Sequence, residues 1–281
     1  MIPTVDHADP AAFVTALEAR HAALSDAPWR SPTRPERQAL LDGAVALVAA
    51  LDGCAPDALR LAAARFAGTQ RVELHRVDDA RFVVVYEADP HGGALAAWRC
   101  GPAVELIVQA PHSHFDLRTG DLARDALLAA PIRGAMWNTT HRYRATPDER
   151  PEDPVHPADV CDQPASAFQA WSLAAAAARP ARVVQLHGFA QGPAAAVLSS
   201  GDADRPPVHL TDAVAAALGE PIAVYGVDTA TLGGARNVLA SALPGRFLHL
   251  ELAPHARARL ADDPGALTDL IEAIGAASWS P

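Results

Sequence analysis

Two rhythms of apolar and polar positions divide the chain. Over residues 10–24, 35–51 and 56–66 apolar side chains recur at mixed spacings of three and four, which predicts three amphipathic helices. Pro28, Pro32 and Pro35 punctuate the first two, and Asp52-Gly53 ends the second. Strand-like runs follow at 71–75, 81–86 and 94–99, joined by polar turns at 77–79 and 90–93, the pattern of an antiparallel meander. From Val104 onward strands and helices alternate. The strands are expected at 104–108, 134–138, 183–186, 195–199, 222–225 and 247–252. The helices are expected at 119–129 with Thr119 as its cap, at 166–178 behind Asp162 or Ser166, at 211–218 entered through His209-Leu210 or Thr211, and at 264–277. Such alternation predicts an α/β fold, a central mixed and largely parallel sheet flanked by helices. An N-terminal helical segment, residues 1–70, is expected to pack on the main α/β domain, residues 71–281. The Pro- and charge-rich stretch 146–157 reads as a long loop, a kind of segment that is usually functional or disordered.

Composition narrows the function classes. Half of the 281 residues are hydrophobic and 20% are charged, a globular balance. The formal net charge of −10 argues against a nucleic-acid partner, which requires a basic surface. No apolar run approaches the roughly 20 residues that cross a bilayer, and the N-terminus lacks the charged and apolar regions of a signal peptide. Cys54, Cys100 and Cys161 show no C-x-x-C spacing and leave one thiol over in any pairing, so reduced thiols in a cytoplasmic protein are the simplest expectation.

The chemistry-bearing residues lie just beyond apolar runs, where an open α/β sheet builds its crevice. His112 directly follows the run that starts at Val104, with His114 and Asp116 close behind; His187 ends another run and is followed by Gly188, which is expected to leave room for a substrate. Two imidazoles and a carboxylate are an ordinary three-ligand set for catalytic zinc, Zn2+, with water in the fourth position. If the strand alternation continued through 116, His112, His114 and Asp116 would share one side. His114 is therefore an alternative ligand, or a partner that hydrogen-bonds a ligand.

Glu251 stands in an otherwise apolar strand as His249-Leu250-Glu251, where a carboxylate must be paired, neutral or functional. It is a candidate general base, with a salt bridge to Arg257 or Arg259 as the plain alternative. Arg142 follows a strand end and can grip a substrate carboxylate with two parallel hydrogen bonds, assisted by Asn138; its plain alternative is pairing with the acidic loop 148–153. Asn237, in Gly233-Gly234-Ala235-Arg236-Asn237, is a further candidate for lining a substrate pocket. Serine and cysteine nucleophiles fare worse. No G-x-S-x-G elbow exists, and Cys161 lies in a Pro- and Asp-rich stretch without an activating helix end.

The order Pro111-His112-Ser113, His187 and His249-Leu250-Glu251, the last leading into an arginine-bearing stretch at 254–260, resembles the zinc carboxypeptidase-like superfamily, and within it the N-formylglutamate amidohydrolases. The resemblance covers the final two-thirds of the chain. It implies a zinc-activated water, a glutamate base and an arginine for the substrate's carboxylate. Asp116 stands at an unfamiliar spacing for the second ligand, and Gly188-Phe189 replaces a polar pair after His187. The expected activity is zinc-dependent hydrolysis of an amide bond next to a carboxylate, in an N-acyl amino acid, a peptide end or a γ-glutamyl-type compound. The alternative is a binding module on the same fold that does no chemistry.

Overall fold

The apolar runs become strands of one layer. A computed structural model of the protein describes residues 2–25, 29–144, 156, 158–201 and 205–279. Among these residues ten strands form a single sheet: β1 Thr4–His7, β2 Gln70–Val77, β3 Ala80–Glu87, β4 Ala94–Arg99, β5 Val104–Ala110, β6 Ile132–Asn138, β7 Arg182–Gly188, β8 Ala196–Ser199, β9 Ala223–Val224 and β10 Phe247–Leu252. Their spatial order is β1-β2-β3-β4-β6-β5-β7-β10-β8-β9. The meander β2-β3-β4 is antiparallel, whereas β6, β5, β7 and β10 run parallel at the centre. The fold is thus α/β with a mixed sheet flanked by helices.

Nine helices cover the two faces: α1 Pro10–Ser25, α2 Arg34–Ala50, α3 Pro56–Arg65, α4 Thr119–Ala129, α5 Ala167–Ala178, α6 Val208–Leu218, α7 Val238–Ala242, α8 Pro254–Asp262 and α9 Pro264–Ala276, counted among the described residues. On one face α1, α4, α6, α8 and α9 bury Leu122, Leu127, Leu267 and Ile271 against Val184, Leu186, Leu248 and Leu250 of the sheet. On the other, α2, α3, α5 and α7 bury Leu47, Phe66, Trp171 and Leu239 against Ile107, Val183 and Phe247. The N-terminal helices are therefore split between the layers, and β1 adds a parallel edge strand to β2.

Several local expectations are corrected. Thr119 does not cap α4; the cap position is Arg118, in the left-handed region at φ 69°, and Thr119 Oγ1 donates back to the Asp116 carbonyl at 2.7 Å. Of the two candidates for α5, Ser166 is the cap, accepting from the Gln169 N–H at 3.2 Å. Helix α6 begins earlier than expected, at Val208 behind Pro207. The cysteines differ most: Cys54, after α2, is disulfide-bonded to Cys100, after β4, and Cys161 is the free, buried thiol. The reduced-thiol basis for expecting a cytoplasmic protein falls away. Among the described residues no helix is long and apolar enough to cross a membrane.

The sheet positions the chemistry through its connectivity. Strand β5 has the parallel strands β6 on one side and β7 on the other, so the connections diverge at its carboxyl end and open a crevice there. Register then sets the rungs: Gln109 pairs with Gln185, His249 with Gln185, and Glu251 with His187. Since side chains alternate across a strand, Gln185, His187, His249 and Glu251 emerge on one face, while Leu186, Leu248, Leu250 and Leu252 enter the opposite apolar core.

A candidate metal centre at the carboxyl ends of the central strands

After β5 the chain does not continue as a strand. It turns, with the Phe115 and Asp116 N–H groups both donating to the His112 carbonyl at 2.8 Å. A turn of this kind brings residues four apart to one side. His112 and Asp116 therefore meet, and Ser113 and His114 point away. The His114 ring stacks on His21 of α1 at 4.4 Å between centroids, lining a different cavity. This corrects the expectation that His114 is an alternative ligand or orients one. Period-two alternation does not extend past Ala110.

His187 completes the meeting. The His112 Nδ1, His187 Nδ1 and Asp116 Oδ2 atoms stand 3.2, 3.3 and 3.4 Å apart, nearly an equilateral triangle. Donors at about 2.0–2.1 Å around a tetrahedral ion are separated by about 3.3–3.4 Å. All three residues are buried. The ring hydrogens fit the same picture. His112 Nε2 is 2.9 Å from Asp159 Oδ1, and His187 Nε2 is 3.4 Å from Gln185 Oε1. Each partner can accept a proton held on Nε2, the tautomer that would leave Nδ1 free to ligate. In that tautomer two lone pairs and a carboxylate oxygen would converge on one point, which a divalent cation would relieve; without one, an N–H on Nδ1 donates to Asp116 Oδ2 instead. The donor types and their spacing fit a divalent metal.

Cys161 stands beside this group: one ligand atom each from His112, Cys161 and His187 lies within 4.8 Å of the others, a buried cluster able to hold a metal ion. His187, His249 and Glu251 form a second such cluster, with one ligand atom from each within 4.8 Å of the others.

Electrostatics follows from burial against pairing. Burial would raise the Asp116 carboxyl, but hydrogen bonds from His112 and His187 bring it well below the usual carboxylate range. Asp159 is likewise opposed by burial and held at about 2 by His112 and Arg142. Burial and the neighbouring His249 push His187 down to about 4, so it is neutral at physiological pH, the form that ligates. Burial, with the Asp159 charge adding to it, raises the Cys161 thiol against the opposing pull of His112 and Arg142.

Glu251 is half held. Its Oε1 is 3.2 Å from His249 Nε2, while Oε2 and His249 Nδ1 are enclosed with no hydrogen-bond partner. Burial opposes ionisation, and His249 and His187 more than offset it, so the carboxyl lies below its ordinary value. The salt bridge to Arg257 or Arg259 does not form. Arg257 instead donates to the Leu252 carbonyl at 2.7 Å, and Arg259 to that of Leu218. Gly188 has a different purpose from the one expected: a Cβ there would overlap the Arg257 guanidinium, so the glycine makes room for an arginine rather than a substrate.

Arg142 reaches the centre. Its guanidinium contacts His112 Nδ1 at 3.1 Å and Asp159 Oδ2 at 2.5 Å. The acidic loop 148–153 lies outside the described residues. Asn138 does not join it; the side chain is fully buried and closes on Thr140, donating to its carbonyl at 3.0 Å. Asn237 lines the cleft but is tied down twice, capping α7 through the Leu239 N–H and donating to Gln185 Oε1 at 2.6 Å. The cleft, roughly 430 Å³, is also bordered by Arg236, which pairs with Asp162 at 3.0 Å.

The sequence reading passed over Asp159, Gln185 and Arg236. Gln185 had a signal: it precedes His187 by two in a strand and so shares its face. Its amide donates to Gln109 Oε1 at 2.9 Å, and Gln109 donates in turn to Ser172 Oγ at 2.9 Å. Asp159 and Arg236 sit in irregular segments that no periodicity marks.

No family model and no curated protein matches the chain. Among solved structures it is similar to the crystal structure of N-formylglutamate amidohydrolase from Ralstonia eutropha JMP134, at 15% sequence identity and a TM-score of 0.43, over 65% of this chain and 97% of that one. It is also similar to YNDL in its zinc-free apo form, at 10% identity and a TM-score of 0.34, over 65% of this chain and 86% of that one.

Proposed function

We propose that the protein is a zinc-dependent hydrolase of an amide bond adjacent to a carboxylate, in an N-acyl amino acid, a peptide end or a γ-glutamyl-type compound. The observation that carries this reading is the triangle of His112 Nδ1, His187 Nδ1 and Asp116 Oδ2, whose edges match a tetrahedral coordination shell. When bound there, zinc supplies Lewis acidity and a nucleophilic water near neutral pH.

The chain's own residues do the rest. Asp159 and Gln185 fix the ring hydrogens of the two histidines, so both present Nδ1. Glu251, ionised and with Oε2 unpartnered, accepts the proton of the attacking water and delivers it to the departing nitrogen. His249 holds the other carboxylate oxygen and fixes its direction. Arg142 orients the substrate's carboxylate with its planar fork, exchanging its contact with Asp159 for one with substrate. Water is displaced from a cleft one wall of which is the Leu232–Ala235 stretch.

The test is zinc-loaded protein against a panel of N-acyl amino acids, C-terminal peptides and γ-glutamyl amides, with release of free amine as the readout. Hydrolysis lost on chelation and restored by zinc is the expected result. A stoichiometrically zinc-loaded protein that cleaves none of them, yet binds carboxylates, would mark a binding module instead.

A further inference from the structure

Cys161 is the chain's only cysteine outside the disulfide, and it faces the two histidines rather than a hydrophobic core. Its backbone is pinned on both sides. The N–H points to Asp159 Oδ1 at 3.3 Å, while the carbonyl accepts from the Val238 N–H at 2.9 Å and from Gln169 Nε2 at 3.4 Å. The thiol makes a long contact to Gln185 Oε1 at 3.7 Å and also interacts with the His112 imidazole. Apolar packing does not account for a sulfur here, since the cleft wall it shares carries His112, Asp159, Asp162 and His187. The soft donor atom is instead held within 4.8 Å of imidazole nitrogens from both His112 and His187.

We propose that Cys161 is an exchangeable protein ligand of the metal held by His112 and His187, competing with water for the open coordination position. This rests on the metal reading above. In ligation the sulfur–hydrogen bond breaks, the proton leaves to solvent, and a sulfur–metal bond replaces the metal–water bond. No electrons are transferred. Two imidazoles, a carboxylate and a thiolate make a four-ligand shell, the closed arrangement typical of structural rather than catalytic sites. A substrate must then displace the thiolate to gain access. Thiolate also biases the site toward zinc and away from magnesium or calcium, whose preferred ligands are oxygens.

X-ray absorption on the zinc-loaded full chain tests this without any variant. One sulfur at about 2.3 Å beside nitrogen and oxygen at about 2.0–2.2 Å is expected. The cobalt-substituted protein should show a thiolate-to-metal charge-transfer band in the near ultraviolet. In Cys161→Ser and Cys161→Ala the sulfur and the band vanish while metal is retained. Affinity, read by chelator competition, falls further than the roughly 10–100-fold typical of losing an outer hydrogen-bond partner. A wild-type shell of nitrogen and oxygen alone overturns the ligand role of Cys161 and leaves the metal reading standing. Absence of bound metal, or binding that persists after His112→Ala and His187→Ala, overturns both.

Discussion

Asp159 accepts a hydrogen bond from His112 Nε2 at 2.9 Å and so decides which nitrogen of that ring faces the centre of the site. A carboxylate behind a ligating imidazole fixes the tautomer and raises the ligand's basicity. Asp159→Asn should therefore weaken zinc binding by about 10–100-fold while leaving the fold intact. Competition with a chromophoric chelator measures the affinity, and circular dichroism checks the fold. Unchanged affinity would remove Asp159 from the centre.

Glu251→Gln keeps the shape of the side chain and its contact with His249 but cannot accept a proton. Metal content should stay near that of the wild type, and turnover should fall by about 10²–10⁴-fold, the usual contribution of a general base. The two quantities together discriminate: loss of metal would make Glu251 a ligand, and retained turnover would displace it as the base.

Away from the site, Glu73 is held at about 2 by His75, with Tyr86 and Arg20 assisting, against an ordinary value of 4.5. Tyr86 donates to it at 2.6 Å, and Arg20 and His75 lie at 3.0 and 3.1 Å. A depressed carboxyl contributes stability that is fully present above its unfolded value and is lost as pH falls through its folded value. Because the cluster is partly solvated, the contribution is on the order of 1 kcal/mol. Denaturant melts from pH 5 to pH 2 should lose less stability in Glu73→Gln than in the wild type. Parallel curves would count against the cluster.

The Cys54–Cys100 disulfide closes a loop between residues 46 apart in sequence. Removing a bridge of this kind typically costs about 2–4 kcal/mol. Cys54→Ser should lower the denaturant midpoint accordingly, and the unfolded wild-type chain should react with one equivalent of a thiol reagent without reductant. Three equivalents would mean the pair is reduced.

How much of this was legible in the sequence varies by residue. The strands β5, β7 and β10 announced themselves as apolar runs, and His187 and Glu251 were readable because they interrupt them. The resemblance to amidohydrolases supplied the expected order of the pieces. His114 misled, because the choice between alternation and a turn after Ala110 depends on hydrogen bonds to the His112 carbonyl that no local pattern reveals. Asn138 and Asn237 were plausible as substrate contacts, yet backbone groups and Gln185 claim their amides. Asp159 and Cys161 reach the centre through a segment whose path long-range packing sets.

The pairing of Glu251 with His187 in adjacent strands carries a consequence for how this site tolerates change. Slipping β10 by one residue against β7 would swing Leu250 or Leu252 toward the cleft and drive the carboxylate among the leucines and isoleucines beneath α4 and α9. Insertions and deletions upstream of this strand must therefore be absorbed before Phe247, in the loop that leads into it, or the acid and the imidazole part company.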